Sequence, residues 1–364
     1  MDSIDTMKVT EAEAERFKNL SRSELLMLPD ILKMKYLFAY NVKHIKLEKV
    51  AIDIMSLLKP FSGTSILFLI GATHVGKTTL AKLMIKTLIE KILTENDNDP
   101  SAVPYIFIPA PANGIKSISW TSIYENILKA GHEILINKKH AKVVENGTIT
   151  IKPARFASLP ALRDSLEEMI EKRKVMVLAI DEAYHLLRFG NLPAVMDTLK
   201  SLVDNKGAKL FLIGSYNLLE LASNYGQVSS RAEIIHFERY HTDNEKDVAE
   251  FFTIVKKIQL NWPCEEVPTF SAISKELMEA SLGCVGLLKK IMLRALEMQL
   301  ANKGKWNPMF LSKVAKSQKL LQSIRTEITD GEENIKGAAY GETIFSESIL
   351  EDAIEKMNGA TSNG

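Results

Sequence analysis

The chain reads as an α/β protein, with a parallel sheet covered on both faces by helices and a smaller, all-helical unit behind it. Three observations predict this. Apolar runs of strand length ("SILFLI", "VPYIFIPAP", "KVMVLAI", "KLFLIG", "AEIIHF") alternate with segments of helical periodicity, the pattern of repeated βαβ units. The first run ends in "GATHVGKTTL", a glycine-bordered turn that opens a helix. After residue 242 the strand-like runs stop and only helical spacing remains.

At 364 residues the chain is long enough for two or three structural units, one of them with a substantial core. The net charge is +1, so a polyanionic partner must be met by local patches. Two cysteines with no close pairing, Cys264 and Cys284, argue against a disulfide framework or a zinc cluster and fit a reducing compartment. The polar start "MDSIDTMKVTEAEAERFK" is not a secretory leader, and no apolar run approaches the roughly 20 residues of a membrane helix. A soluble, cytoplasmic bacterial protein without membrane contacts is expected.

Taken in order, residues 1–22 carry little pattern, mobile or helical. From "SELLMLPDIL" to "SLLKP" apolar residues recur at spacings of three and four, predicting helices that end at Pro60. "SILFLI" is a buried strand, "KTTLAKLMIKTLIEKIL" a helix stopped by the polar loop "TENDNDPSA", and "VPYIFIPAP" a second strand. "SWTSIYENILKAGHEIL" is a helix with Ser119 as its cap. Residues 137–157 break the rhythm: "AKVVE-NG-TITIK" predicts a hairpin, because Asn-Gly supplies the positive φ angles of a type I′ turn. Helix "PALRDSLEEMIEKR", strand "KVMVLAI", helix "LPAVMDTLKSLVDN" and strands "KLFLIG" and "AEIIHF" restore the alternation.

Four helices are expected beyond it: "TDNEKDVAEFFTIVKKI", "SAISKELMEASL", "VGLLKKIMLRALEMQLANKG" and "MFLSKVAKSQKLLQSI". Residues 327–364 hold nine acids against two lysines, which predicts a loosely ordered tail with one short helix near "SESILEDAIEKM". The expected partition is an N-terminal extension (1–34), an α/β core (35–241) with a hairpin insertion (137–157), a helical lid (242–325) and an acidic tail (326–364).

The glycine-bordered turn matches the phosphate-binding pattern G-x-x-x-x-G-K-[ST] as Gly71, Gly76, Lys77 and Thr78. Residues Gly71, Ala72, Thr73, His74, Val75, Gly76, Lys77, Thr78 and Thr79 thus form a nucleotide-binding turn. Its backbone N–H groups and the following helix N-terminus favour an anion. Lys77 reaches the outer phosphates of ATP and Thr78 holds Mg²⁺. In "KVMVLAIDEAYHLL" a buried strand delivers Asp181 and Glu182 to one tip. Asp181 completes the Mg²⁺ shell, and Glu182 takes a proton from the attacking water. A glutamate in that place points to hydrolysis. His185 reads as a packed or exposed helix residue.

"KLFLIGSYN" ends in Ser215 and Asn217. Either one of them binds the attacking water or γ-phosphate, or the pair merely caps the next helix. Arg231, just before the last strand, is an arginine finger aimed at a neighbouring copy or a plain surface residue.

The order of these features resembles the AAA+ ATPases, and within them the TnsC/TniB family of transposition regulators. The pieces that carry the likeness are "GATHVGKTTL", "LAIDEAYHLL", "LFLIGSYNLLEL", "SSRAEIIHFERY" and "LGCVGLLKKIMLRALEMQL", within residues 35–305. The resemblance implies a P-loop NTPase of the AAA+ type with a C-terminal helical lid. It also implies ATP-dependent rings or filaments around double-stranded DNA that connect a target-selecting protein to a transposase and come apart on hydrolysis. Lys77, Thr78, Asp181, Glu182 and Arg231 would take the family's roles. Two departures stand out. "GCVGLLKK" offers Leu287 where many lids carry arginine, leaving Lys289 or Lys290 to substitute, and Ala232 follows Arg231 where an aromatic is usual.

For DNA itself, residues 137–157 carry Lys138, Lys139, Lys142, Lys152 and Arg155 against one acid, and residues 286–325 carry nine Lys or Arg against one acid. Lys116 and Ser158 stand at loop-to-helix junctions where the family's DNA-facing loops fall. Such side chains bind phosphates without reading sequence; the alternative is a set of solvated faces. Two rivals share the ATPase core. A nucleotide-switch signalling ATPase would bring a repeat array, and a replication initiator or helicase loader usually brings a base-reading domain. Neither is apparent in the sequence.

Overall fold

The computed structural model describes residues 7–59, 62–95, 99, 101–111, 119–133, 136, 142–145, 148–151, 158–204, 207–223 and 232–339. Helices α1 (Glu11–Lys18), α2 (Arg22–Met27) and α3 (Asp30–Ala39) open the chain. The first two start at capping boxes, in which Thr10 pairs with Glu13 and Ser21 with Glu24. Each box satisfies backbone donors that the first turn leaves free. Helix α4 (Ile45–Leu58) buries Val50, Ile54 and Leu58 against the sheet.

The α/β part follows as β1 (Ile66–Gly71), α5 (Lys77–Glu95), β2 (Tyr105–Pro109), α6 (Trp120–Ala130), β3 (Lys142–Glu145), β4 (Thr148–Ile151), α7 (Leu159–Lys172), β5 (Val177–Asp181), α8 (Leu192–Val203), β6 (Lys209–Gly214), α9 (Leu218–Ser223) and β7 (Ala232–Phe237). Five strands make one all-parallel sheet in the order β2-β5-β6-β1-β7. Every residue of β1 and β5 is buried, as expected of strands covered on both faces. Strands β3 and β4 form the separate antiparallel hairpin, in register Lys142↔Ile151 and Glu145↔Thr148, with the Asn-Gly pair between them.

The helical unit comprises α10 (Glu245–Leu260), α11 (Ser274–Ala280), α12 (Val285–Ala301) and α13 (Met309–Val314); α14 (Gln318–Ala339) follows. Its core gathers Phe251, Trp262, Phe270 and Leu296, together with Met34, Leu37 and Val42. So α3, which the expected partition divides between the N-terminal extension and the α/β core, packs on the helical unit. Hydrogen bonds tie it there as well: Lys289 Nζ donates to Phe38 O at 2.6 Å, and the Tyr36 hydroxyl to Asn261 Oδ1 at 3.1 Å.

Three local expectations need correction. Ser119 occupies the N-cap of α6 but makes no side-chain capping bond, and the helix stops at Gly131, short of the predicted end. "MFLSKVAKSQKLLQSI" is not one helix, because Ala315 turns extended (ψ 145°) and splits α13 from α14. Nor is the chain loose from 327 onward. Helix α14 runs to Ala339 and sets Ile328 and Ile335 into the α/β core, with Leu321 and Ile324 packed beside them. Spacings of three and four place these on one stripe, which outweighs the acids on the other faces. The rest of the expected tail, with the short helix near "SESILEDAIEKM", lies outside the described residues.

Candidate functional site

Strands β5, β6 and β1 lie side by side, so the segments that leave their C-terminal ends meet at one edge of the sheet. In open parallel sheets this edge is where ligands bind. A cavity of about 810 Å³ opens there, within the usual range of small-molecule sites. Its floor is the turn between β1 and α5 and its wall the tips of β5 and β6; α12 and the N-terminal helices face them.

The turn is built for close backbone approach. His74 takes φ 67° and Gly76 φ 119°, the latter a conformation that only glycine adopts readily. Val75 turns down into the core (3% exposed), and Ala72 is buried behind the loop. Thr73, His74, Gly76, Lys77, Thr78 and Thr79 line the cavity. Lys77 donates through Nζ to Gly71 O and Ala72 O, both at 2.8 Å. Burial pushes its ammonium down to about 8, against the pull of the Asp181 charge. A lysine held this way is a cation with too little solvation, ready for an anion. The lid reaches the loop directly: a Cβ on Gly286 of α12 would come within 2.3 Å of His74 O.

Across the sheet, Thr78 Oγ1 donates to Asp181 Oδ2 at 2.7 Å. Asp181 is 8% exposed, and its other oxygen accepts from Glu182 N at 2.9 Å. A hydroxyl and a carboxylate at one point form the hard oxygen pair that Mg²⁺ takes alongside substrate phosphates. Among the described residues no cluster of three or more His, Cys, Asp or Glu could hold a metal. Glu182 takes left-handed backbone angles, φ 52° and ψ 34°, a strain of order 1–3 kcal/mol that clusters at functional sites. It lines the cavity with its side chain 57% exposed.

His185 is buried, as the packed reading expected, on the 3₁₀ turn Ala183–Phe189. Its Nε2 lies 3.9 Å from Glu182 Oε2, and its buried Nδ1 finds no hydrogen-bond partner among the described residues. Burial, helped by the Arg188 charge, lowers its pKa from the ordinary histidine value, against the pull of Glu182. Ser215 and Asn217 both line the cavity from the tip of β6.

Of the remaining expected site residues, Arg231, Lys116, Lys138, Lys139, Lys152 and Arg155 lie outside the described residues. Lys142 starts β3. Ser158 caps α7, its Oγ accepting from Ala161 N at 3.4 Å. Sequence reasoning missed three contributors to the cleft. The start of α1 (Thr10, Glu11), Phe38 with Asn41, and Glu327 of α14 all line it. The capping box at Thr10 was a readable sign of α1; Glu327 had no local signal.

Lys289 lines the cleft beside Lys290, and burial pushes its ammonium from 10.5 down to about 8. A depressed lysine destabilises the fold while it is charged, and this cost fades as pH rises through 8 toward 10.5. Lys289→Met removes the cost at every pH. The stability difference between variant and wild type should therefore shrink by on the order of 1 kcal/mol between about pH 8 and 10, as read from denaturant unfolding of the nucleotide-free protein. A constant difference would contradict the burial of this charge.

Residues 59–222 match the family described as an AAA domain. Two solved structures share the fold. The ORC2 protein of Aeropyrum pernix, in ADPNP–ADP complexes, is 16% identical with a TM-score of 0.50 over 76% of this chain and 70% of that one. The ORC1 protein of Aeropyrum pernix in complex with DNA is 16% identical with a TM-score of 0.51, over 80% of this chain and 67% of that one. Curated proteins give no match. Residues 59–222 thus resemble an AAA domain, and the chain has the AAA-type P-loop NTPase fold, with a five-stranded parallel sheet and a helical C-terminal region. Among the described residues no helix is long and apolar enough to cross a membrane.

Proposed function

We propose that this protein is an ATPase that binds Mg·ATP in the cleft, assembles with copies of itself on double-stranded DNA, and lets go on hydrolysis. The observation that carries the reading is the contact of Thr78 with Asp181 at 2.7 Å beside a buried, under-solvated Lys77. Lys77 exchanges its two loop carbonyls for phosphate oxygens, a charge-assisted and stronger pairing. Thr78 and Asp181 hold Mg²⁺, which supplies neutralising charge at the phosphates when bound. Glu182, exposed on the cleft, accepts the proton of the attacking water, and Ser215 or Asn217 orients that water from the tip of β6. Arg231 of a neighbouring copy completes the charge. Measured hydrolysis that needs Mg²⁺ tests the reading, and a protein that neither binds nor turns over ATP would sink it.

The described part of the basic stretch supports the DNA partner. Lys303, Lys305, Lys313, Lys316, Lys319 and Arg325 are all exposed. Each engaged phosphate steepens the fall of log affinity with log salt by about 0.9. Six contacts should give a slope of about −5, measurable by titrating a labelled duplex at several salt concentrations; a flat response contradicts phosphate contact.

Two finer readings share this chemistry. We favour an initiator- or loader-type ATPase, motivated by the likeness to a protein solved in complex with DNA. The transposition-regulator reading, with transposase and target selector as partners, is supported by "SSRAEIIHFERY" and "LGCVGLLKKIMLRALEMQL". Duplex length separates them: a loader should bind in a fixed number of copies, whereas a filament should grow in proportion to the DNA.

A further inference from the structure

The strand tip that carries Ser215 and Asn217 is held from behind by the last helix. Tyr216 stands between these two cleft residues and points away from the cleft, 8% exposed. Its ring lies against Gly331 of α14 so closely that a Cβ there would come within 2.2 Å of the tyrosine Cγ. Its hydroxyl shares a 3.1 Å hydrogen bond with His236 Nε2 on β7. The next residue of α14, Glu332, is buried and takes both prongs of Arg239, Nε at 2.9 Å and Nη2 at 3.0 Å. Arg239 also donates to Leu282 O at 3.4 Å, just ahead of the lid helix α12. Ile328 and Ile335 are sunk into the α/β core about one turn to either side, and Glu327 reaches the cleft itself.

We propose that α14 is a strut that sets the position of the β6 tip, with Tyr216 as the positioning residue clamped between Gly331 and His236. This rests on the reading of the cleft as an ATP-hydrolysing site. The chemistry of the contacts favours the idea. A buried ion pair is seldom a better source of stability than an apolar pair of the same volume, but a bidentate arginine–carboxylate fork fixes geometry in two directions. Here it fixes the helix at the residue next to Gly331, where α14 has no side chain to yield. The tip therefore cannot move without α14, nor α14 without Arg239 and the segment leading to the lid. The strut links the lid, the edge of the sheet and the water-orienting side chains in one chain of contacts. The acidic C-terminal segment then acts on catalysis, not merely on solubility.

The prediction is a split between chemistry and binding, since Gly331 bears on Tyr216 at the tip, whereas Lys77 and Thr78 are held by Gly71, Ala72 and Asp181. Gly331→Ala forces a methyl into the tyrosine ring and should lower kcat about tenfold to a hundredfold, the scale on which a shift of about 1 Å acts. Nucleotide affinity, read with a fluorescent ATP analogue, should stay within about twofold. Glu332→Gln adds no atoms and loosens the fork, so it should show the same split, and it serves if Gly331→Ala does not fold. A folded variant with wild-type kcat overturns the strut. So does a fall in kcat matched by an equal loss of affinity. A wild-type protein with no ATPase activity overturns instead the reading beneath it, and the strut with it.

Discussion

Lys77→Ala is expected to abolish nucleotide binding while leaving the nucleotide-free protein as stable as before. The two halves of this result have one cause. Among the described residues the Lys77 ammonium bonds to Gly71 O and Ala72 O alone, each at 2.8 Å, and burial has already driven it down to about 8. Hydrogen bonds from a charged donor to neutral carbonyls offset desolvation only in part. Removing the side chain therefore takes away a cost along with two bonds, and the thermal midpoint should hardly move. The phosphates lose their cation at the point where the turn and the helix dipole focus a positive potential. Two charge-assisted bonds of about 1.5–3 kcal/mol each correspond to at least a hundredfold in affinity. Titration with a fluorescent ATP analogue should find no saturation at concentrations that fill the wild type. ATP-dependent assembly should fail in parallel. Retained affinity would remove the phosphate turn from its role.

How much of this site was legible before the structure depended on how local its chemistry is. The phosphate turn and the Asp181–Glu182 pair are contiguous in sequence, because a backbone cradle and a strand tip can each be built only from neighbouring residues. The alternation of buried runs with amphipathic helices likewise foretold the parallel sheet, since both periodicities are written residue by residue. What escaped is what joins distant positions. The Arg239–Glu332 fork spans 93 residues, and the fit of Gly331 against Tyr216 depends on two unrelated stretches arriving together. The stripe Leu321, Ile324, Ile328 and Ile335 was readable as a helix face, yet the surplus of acids around it suggested a solvated tail. The N-terminal helices escaped for a different reason. Their capping boxes were visible, but nothing local says that α3 rests on the helical unit or that Thr10 and Glu11 face the cleft.

Glu182→Gln is expected to do the opposite of Lys77→Ala, keeping ATP and losing turnover. Three observations separate Glu182 from the binding apparatus. Its side chain is 57% exposed toward the cleft. Among the described residues it forms no hydrogen bond or ion pair with Lys77 or Thr78, which bond to Gly71, Ala72 and Asp181. Its backbone N–H donates to Asp181 Oδ1 at 2.9 Å, a bond that an amide side chain leaves intact. Glutamine matches the shape of glutamate and can still orient a water, but it cannot accept the proton that the water must lose. General-base catalysis contributes about 10²–10⁴-fold, so single-turnover hydrolysis should slow by at least a hundredfold while the ATP affinity stays within about threefold. If hydrolysis is what releases the assembly, the variant with ATP and duplex DNA should sediment as a large species that does not decay, whereas the wild type should come apart as its ATP is spent. The neighbouring His185, buried with Nε2 at 3.9 Å from the Glu182 carboxylate, is too far for a hydrogen bond and poorly placed to replace the lost base. Near-normal turnover in Glu182→Gln would move the proton acceptor elsewhere in the cleft and leave the left-handed backbone at residue 182 without a catalytic purpose.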